Sequence, residues 1–292
     1  MYSATAIKRP SDQSLPVYSL GNNPLDDLFQ LFVGITEIAD NFEQVDRTKY
    51  ESCQAIHEAC LIHKQKVTDW YSQQTDQIGG APSPCPADTI LCARLPPTDD
   101  LFGPVYNFAS LDNAGLTLLY WTALILVQSL IYQSKTLIAA YGQTTPPHPD
   151  PTTNEDYALT GHYADQICRA IPYCVQDKMR LGATHMVVAS LSQVCKTYAL
   201  RRCRQKFLWC QRAYLLLAEL GIDAALHLHE SNEKYWQLSH HPKVGSLLSM
   251  TLRLALSDEL AQLMQKMGPS DDGDQGSGEV TVVHNSMSLA WI

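Results

Sequence analysis

Apolar residues recur along this chain at steps of three and four, the spacing that places them on one face of an α-helix. In the first such segment Asn23 suits a helix cap, Pro24 suits the first turn, and Asp26 and Asp27 complement the helix dipole. The pattern predicts an amphipathic helix that ends near Val45. Its apolar stripe consists of Leu25, Leu28, Phe32, Ile35, Ala39 and Phe42.

The same periodicity predicts further helices along most of the chain. Asp165 and Arg169 lie one turn apart within one of them and are predicted to pair. Gly221 is suited to cap another helix at its C-terminus. The predicted segments are 49–74, 111–141, two helices within 163–199 joined by a short polar turn, 201–220, 222–240 and 244–267.

Prolines and glycines divide these helices. Proline-rich loops are predicted near 77–104 and 142–153, because their prolines cannot continue a helix. Residues 1–22 resemble a flexible arm, and 268–292 an acidic linker followed by a tail. No alternation of strands and helices is present, so we predict an all-α fold, a single domain of about eight packed helices over 23–267.

One segment also suits a membrane. Residues 115–132 form an uncharged, mostly apolar stretch of 18 residues, and a span needs about 20. Thr117, Thr122, Gln128 and Ser129 interrupt it. We therefore predict a central core helix and no membrane partner.

Composition indicates a globular protein with a sizeable core, since 45% of the 292 residues are hydrophobic and 17% are charged. The formal net charge of −9 argues against DNA binding by the chain itself, because phosphate neutralisation needs a basic surface. Nine cysteines, mostly at apolar helix positions, indicate reduced thiols and a nuclear or cytoplasmic location.

The stretch 163–199 carries a family resemblance. Its letters ADQICRAIPYC at 164–174 and VVASL at 187–191 resemble the C-terminal regulatory region of fungal binuclear zinc-cluster transcription factors. The resemblance continues in KFLWCQRAYLLLAE at 206–219, extends more faintly over 106–132, and covers about half the chain. It implies an all-α module with inhibitory, dimerising or effector-sensing surfaces.

The DNA-binding zinc cluster of that family is absent from this sequence. Such a cluster needs CxxC pairs, and the chain has none. The histidines of HLHE at 227–230 lack the spacing of a metal-binding helix, and no phosphate-binding or hydrolase motif is present. Cys174 and Cys195 are candidate nucleophiles, although buried inert thiols are the simpler interpretation. We predict no metal, no cofactor and no catalytic residue.

A basic cluster is the clearest charge feature. No acidic residue occurs over 178–218, whereas eight basic residues do. The cluster at the start of one predicted helix is a candidate docking patch for an acidic partner. Its alternative is a helix end that pairs with the chain's own acids, such as Asp258 or Glu259. The patch consists of Arg201, Arg202, Arg204 and Lys206.

Two classes of function remain open. The resemblance implies a non-catalytic modulator of transcription, linked to a secondary-metabolite gene set. Such a module acts with a protein partner or as a homodimer, and it reaches DNA only through a partner. The resemblance also implies a small-molecule effector. An apolar pocket for that effector is predicted around Trp121, Ile167 and Ile171. The alternative is an all-α enzyme of secondary metabolism, such as a small-metabolite hydrolase or an isoprenoid cyclase. Its metal-binding acids are not evident, because neither Asp26–Asp27 nor Asp99–Asp100 is followed by an acid at the required spacing.

Overall fold

The computed structural model describes residues 23–86, 90, 95–98, 100–141, 155–176 and 181–240, with the backbone alone described for 155–157 and 181–186. Within these ranges the fold is all-α, as predicted, with seven helices and one two-stranded sheet. The predicted arm at 1–22, the loop at 142–153, the helix at 244–267 and the tail at 268–292 lie outside the described residues. The elements are α1 Pro24–Gln44, α2 Tyr50–Gln74, β1 Ser83–Cys85, β2 Val105–Asn107, α3 Leu111–Ala140, α4 Glu155–Cys174, α5 Leu181–Leu200, α6 Arg204–Glu219 and α7 Asp223–Ser239.

The first helix begins and is buried as its sequence predicts. The Asn23 side chain accepts a hydrogen bond from the Leu25 amide at 3.1 Å, which caps α1. The predicted stripe lies in the core, except that Leu25 is half-buried. The next helix, α2, packs against α1 so closely that the buried His63 ring lies against Gly34. His63 Nε2 donates to the Leu31 carbonyl at 2.8 Å.

The long apolar helix α3 is the centre of the fold. It packs against α1, α2, α4 and α5. The Ser110 hydroxyl accepts from the Asn113 amide at 3.1 Å and caps its first turn. By length and composition α3 is able to cross a membrane, but 89% of its most apolar window is buried inside the fold. It therefore has the surroundings of the core helix of a soluble helical protein.

The second half of the fold is built from α4 to α7, each packed on its neighbour in sequence. The Thr122 and Ser190 hydroxyl groups are hydrogen-bonded at 2.9 Å, which ties α3 to α5. Gly221 lies in the α6–α7 connection, just after the end of α6. Its φ of 93° is the conformation predicted for a glycine that caps the C-terminus of a helix. Residues 201–203 form a turn, so α6 begins three residues later than predicted.

The structure adds a short strand to one predicted loop and replaces one expected side-chain pair by other contacts. The loop predicted over 77–104 contains β1, which pairs antiparallel with β2 and aligns Ser83 with Asn107. Asp165 does not pair with Arg169. The Arg169 Nε instead donates to the Pro104 carbonyl at 2.6 Å, and its guanidinium lies 3.9 Å from the centre of the Tyr106 ring. Both side chains instead contact residues that are distant in sequence.

Candidate functional site

The four residues of the predicted basic patch lie in different surroundings. Lys206 and Arg204 are held by acids of other helices. Arg201 is half-buried, and its guanidinium packs so closely on Gly161 that a Cβ there would lie 2.8 Å from Arg201 Cζ. Arg202 is exposed. The four bases therefore do not form one continuous positive surface.

Lys206 belongs to a half-buried ion pair between α6 and α4. Its Nζ lies 2.7 Å and 2.8 Å from the two carboxylate oxygens of Asp165. The buried Tyr198 hydroxyl donates to the same carboxylate at 2.7 Å. Burial is the main cause that raises the pKa of Tyr198 well above its ordinary value, so this phenol stays protonated and acts as a donor.

Arg204 on α6 contacts two side chains of α7. Its Nη2 lies 3.7 Å from Glu233 Oε1, and its guanidinium lies 4.8 Å from the centre of the Trp236 ring. The acids that pair with the basic residues at the start of α6 are therefore Asp165 and Glu233. The two acids named from the sequence, Asp258 and Glu259, lie outside the described residues.

Arg202 occupies an unusual backbone conformation. Its φ is 57°, and it is the only residue other than glycine with a positive φ in the described part of the chain. The turn ends α5 with bonds from the Cys203 amide to the Tyr198 carbonyl at 2.9 Å and from the Arg202 amide to the Ala199 carbonyl at 3.1 Å. This is the helix-ending position that glycine usually occupies. An arginine here holds a charged side chain at the surface at a local conformational cost.

Three exposed side chains share one face of α6, the helix that follows this turn. Leu208 and Leu215 are 41% and 42% exposed and lie two turns apart, with the exposed Arg212 one turn from each of them. We call Arg202, Leu208, Arg212 and Leu215 the α6 stripe. Of this set, the predicted basic patch contains Arg202, and Arg212 is one of the eight bases of 178–218, whereas the two leucines were not singled out from the sequence. The seven-residue spacing of the two leucines was the available indication of the rest.

The three residues of the predicted apolar pocket are all core side chains. Trp121 is 7% exposed, and Ile167 and Ile171 are fully buried in the same hydrophobic cluster. The Tyr106 ring lies 5.7 Å from the Trp121 ring, between it and Arg169. These contacts assign the three residues to packing between α3 and α4, and an effector pocket there stays a prediction.

Thiols from three successive helices meet beneath the Asp165–Lys206 pair. The Sγ atoms of Cys168 on α4 and Cys210 on α6 are 3.8 Å apart. Cys195 on α5 lies beside Cys210, and the Tyr198 hydroxyl lies 3.6 Å from Cys168 Sγ. All three thiols are fully buried. We call Cys168, Cys195 and Cys210 the thiol cluster.

The other reactive groups named from the sequence are in inert surroundings. Cys174 is 1% exposed, and burial raises the pKa of its thiol to about 12. A thiol of this kind carries almost no thiolate at neutral pH. The eight described cysteines form no disulfide with one another, and the described residues contain no group of three His, Cys, Asp or Glu side chains arranged to hold a metal ion.

Comparison with known proteins adds no relative to this picture. No protein-family model, curated protein or solved structure matches the chain.

Proposed function

We propose that this chain is a non-catalytic, all-helical regulatory module that acts on transcription through a protein partner. The observation that carries the proposal is the α6 stripe. Arg202 and Arg212 are exposed there and have no acidic partner among the described residues, while neighbouring bases are neutralised within the fold. The stripe lies within the segment 206–219 and the turn before it, where the family resemblance also lies.

The chemistry of the stripe fits an acidic amphipathic helix of the partner. Two leucines two turns apart supply apolar contacts to a helix laid along α6. The guanidinium group of Arg212 between them, and that of Arg202 in the turn before α6, attract carboxylates and disfavour basic competitors. The sequence around the stripe reinforces this preference, because no acidic residue occurs over 178–218.

The buried chemistry supports a non-catalytic role. Lys206, Asp165 and Tyr198 bind one another and join three helices, so their polar atoms are used in structure. Asp26 and Asp27 lie in the first turn of α1, where carboxylates stabilise the helix dipole. The enzyme alternative has no comparable observation in its favour.

The charge of the chain makes contact with DNA indirect. A formal charge of −9 repels the phosphate backbone, so the partner supplies the DNA-binding surface. We propose a nuclear site of action on this basis. A homodimer through the same stripe is the competing arrangement, and a small-molecule effector remains a further expectation of the resemblance.

Transcript and metabolite profiles of host strains test this function. We compare a deletion with the charge reversal Arg212→Glu, and use Lys66→Glu on exposed α2 as the matched control. We expect Arg212→Glu to reproduce the transcript changes of the deletion, while Lys66→Glu leaves the profile as in the wild type. Unchanged transcripts with an altered metabolite profile in the deletion strain would overturn the proposal and favour the enzyme.

The oligomeric state separates a partner from a homodimer. Sedimentation of the purified full chain is measured with and without the Arg212→Glu change. A monomer in both cases agrees with a separate acidic partner. A wild-type dimer that Arg212→Glu dissociates would replace the partner by a second copy of this chain.

A further inference from the structure

The thiol cluster is a second feature that the proposed docking function does not use. Cys168, Cys195 and Cys210 belong to three different helices, and their side chains meet at one point in the core. The described residues show no three-ligand metal arrangement, so metal binding does not account for the convergence. The close approach of two sulfur atoms instead suits a covalent link between them.

The geometry singles out one pair. Cys168 Sγ and Cys210 Sγ are in contact at 3.8 Å, and a disulfide needs about 2.05 Å, so modest side-chain rotation brings them together. The buried thiols of α2 do not share this arrangement. Cys53 and Cys60 lie seven residues apart on α2, about two helical turns, which separates them by about 10 Å.

The polar network controls access to the pair. The Tyr198 hydroxyl lies against Cys168 Sγ and donates to Asp165. Asp165 and Lys206, with side chains 28% and 26% exposed, are the part of this chain of contacts that meets solvent. We therefore expect a small polar oxidant to reach the thiols along this chain of contacts when Lys206 separates from Asp165.

We propose that Cys168 and Cys210 form an oxidisable pair that a peroxide converts to an intramolecular disulfide between α4 and α6. The first sulfur attacks one peroxide oxygen, the O–O bond breaks, and a sulfenic acid and one water form. The second thiol attacks that sulfur, the S–O bond breaks, and a second water leaves with the thiol proton. Two thiols and one hydrogen peroxide thus give one disulfide and two waters.

The order of the two steps follows from the surroundings of the thiols. Cys168 lies next to Tyr198 and the Asp165–Lys206 pair. We therefore expect Cys168 to become the sulfenic acid and Cys210 to resolve it.

The test uses the full folded chain treated with hydrogen peroxide. Intact mass spectrometry is expected to show the loss of two hydrogen atoms, and peptide mapping a Cys168–Cys210 link that dithiothreitol reverses. Cys210→Ser is expected to abolish the link and leave a sulfenic acid on Cys168 that dimedone labels. Cys195→Ser removes a neighbouring thiol only and is expected to keep the link.

A second variant tests the role of the polar network. Asp165→Asn removes the ion pair and leaves a side-chain oxygen for Tyr198, so the link is expected to form faster than in the wild type. Circular dichroism checks that each variant remains folded. Oxidation confined to Cys85 or Cys203, or a Cys168–Cys210 link that forms only in urea, would overturn the proposal.

Discussion

The helical hairpin α1–α2 and the assembly of α4, α5 and α6 place polar groups in the interior in different ways. The hairpin buries one neutral ring, His63, with a single bond to the Leu31 carbonyl. The assembly buries a connected set in which Tyr198 and Lys206 both bind Asp165, beside three thiols. The stability contributed by an isolated buried polar group depends mainly on the packing around it. The stability contributed by a connected set depends on each of its members, because the loss of one leaves others without a partner.

The difference predicts where each region is most sensitive. In the hairpin we expect steric changes near His63 to dominate. In the α4–α6 assembly we expect removal of the shared acceptor to dominate, since two donors then lose their partner at once. Four changes, from the largest expected effect to the smallest, test this contrast.

Asp165→Ala is expected to have the largest effect. It removes both bonds from Lys206 and the bond from the buried Tyr198, which leaves two donors without an acceptor. We expect a loss of about 3 kcal/mol in the free energy of unfolding, at the low end for buried pairs because the ion pair is partly exposed. Urea unfolding measures it. Asp165→Asn, which keeps an acceptor oxygen, is the control and should cost less.

Gly34→Ala tests the packing of the hairpin. A Cβ at Gly34 would lie 2.4 Å from His63 Cε1, and the bond to Leu31 fixes that ring in place. We expect a net loss of about 2 kcal/mol by urea unfolding, because overpacking exceeds the gain in helix propensity. The double variant Gly34→Ala, His63→Ala should recover stability relative to the sum of the single changes. Additive losses would show that His63 is not the obstacle.

The pH dependence of stability tests the neutral state of His63. Burial is the main cause that lowers the pKa of His63 below its ordinary value of 6.5. As the pH falls from about 6.5 toward that lower pKa, the unfolded chain takes up a proton that the folded chain does not, so the free energy of unfolding decreases. Thermal unfolding across this window measures the slope. His63→Gln should have a shallower slope, and equal slopes would contradict the prediction.

Arg202→Gly is expected to have the smallest effect, and of opposite sign. The residue holds a φ of 57°, which glycine adopts without a Cβ clash. We expect stability to rise by up to about 1 kcal/mol in urea unfolding. Arg202→Ala retains the Cβ and should give no gain. A loss of stability with glycine would mean that the Arg202 side chain contributes to the fold.

The sequence predicted best where local chemistry decides the structure. Asn23 and Gly221 mark helix ends because their own side-chain or backbone properties cap a helix, and the structure confirms both. The stripe of α1 follows from periodicity alone. The all-α class follows from the same patterns repeated along the chain.

The features that were not predicted depend mainly on contacts between residues that are distant in sequence. Asp165 has an arginine one turn away in sequence, but it binds Lys206, 41 residues away, because the packing of α4 on α6 brings them together. The short strands β1 and β2 are held by each other and have no period long enough to detect. Arg202 occupies a glycine-like position that its residue type does not indicate. The meeting of three thiols likewise depends on how three helices pack.

Chromatin occupancy of the tagged full chain tests the central claim, that this module acts on transcription through the α6 stripe. The wild type is compared with Arg212→Glu and with the matched charge reversal Lys66→Glu. The account predicts focused occupancy for the wild type and for Lys66→Glu, and its loss for Arg212→Glu at equal protein level. Equal occupancy in all three, or no focused occupancy of the wild type, would contradict it.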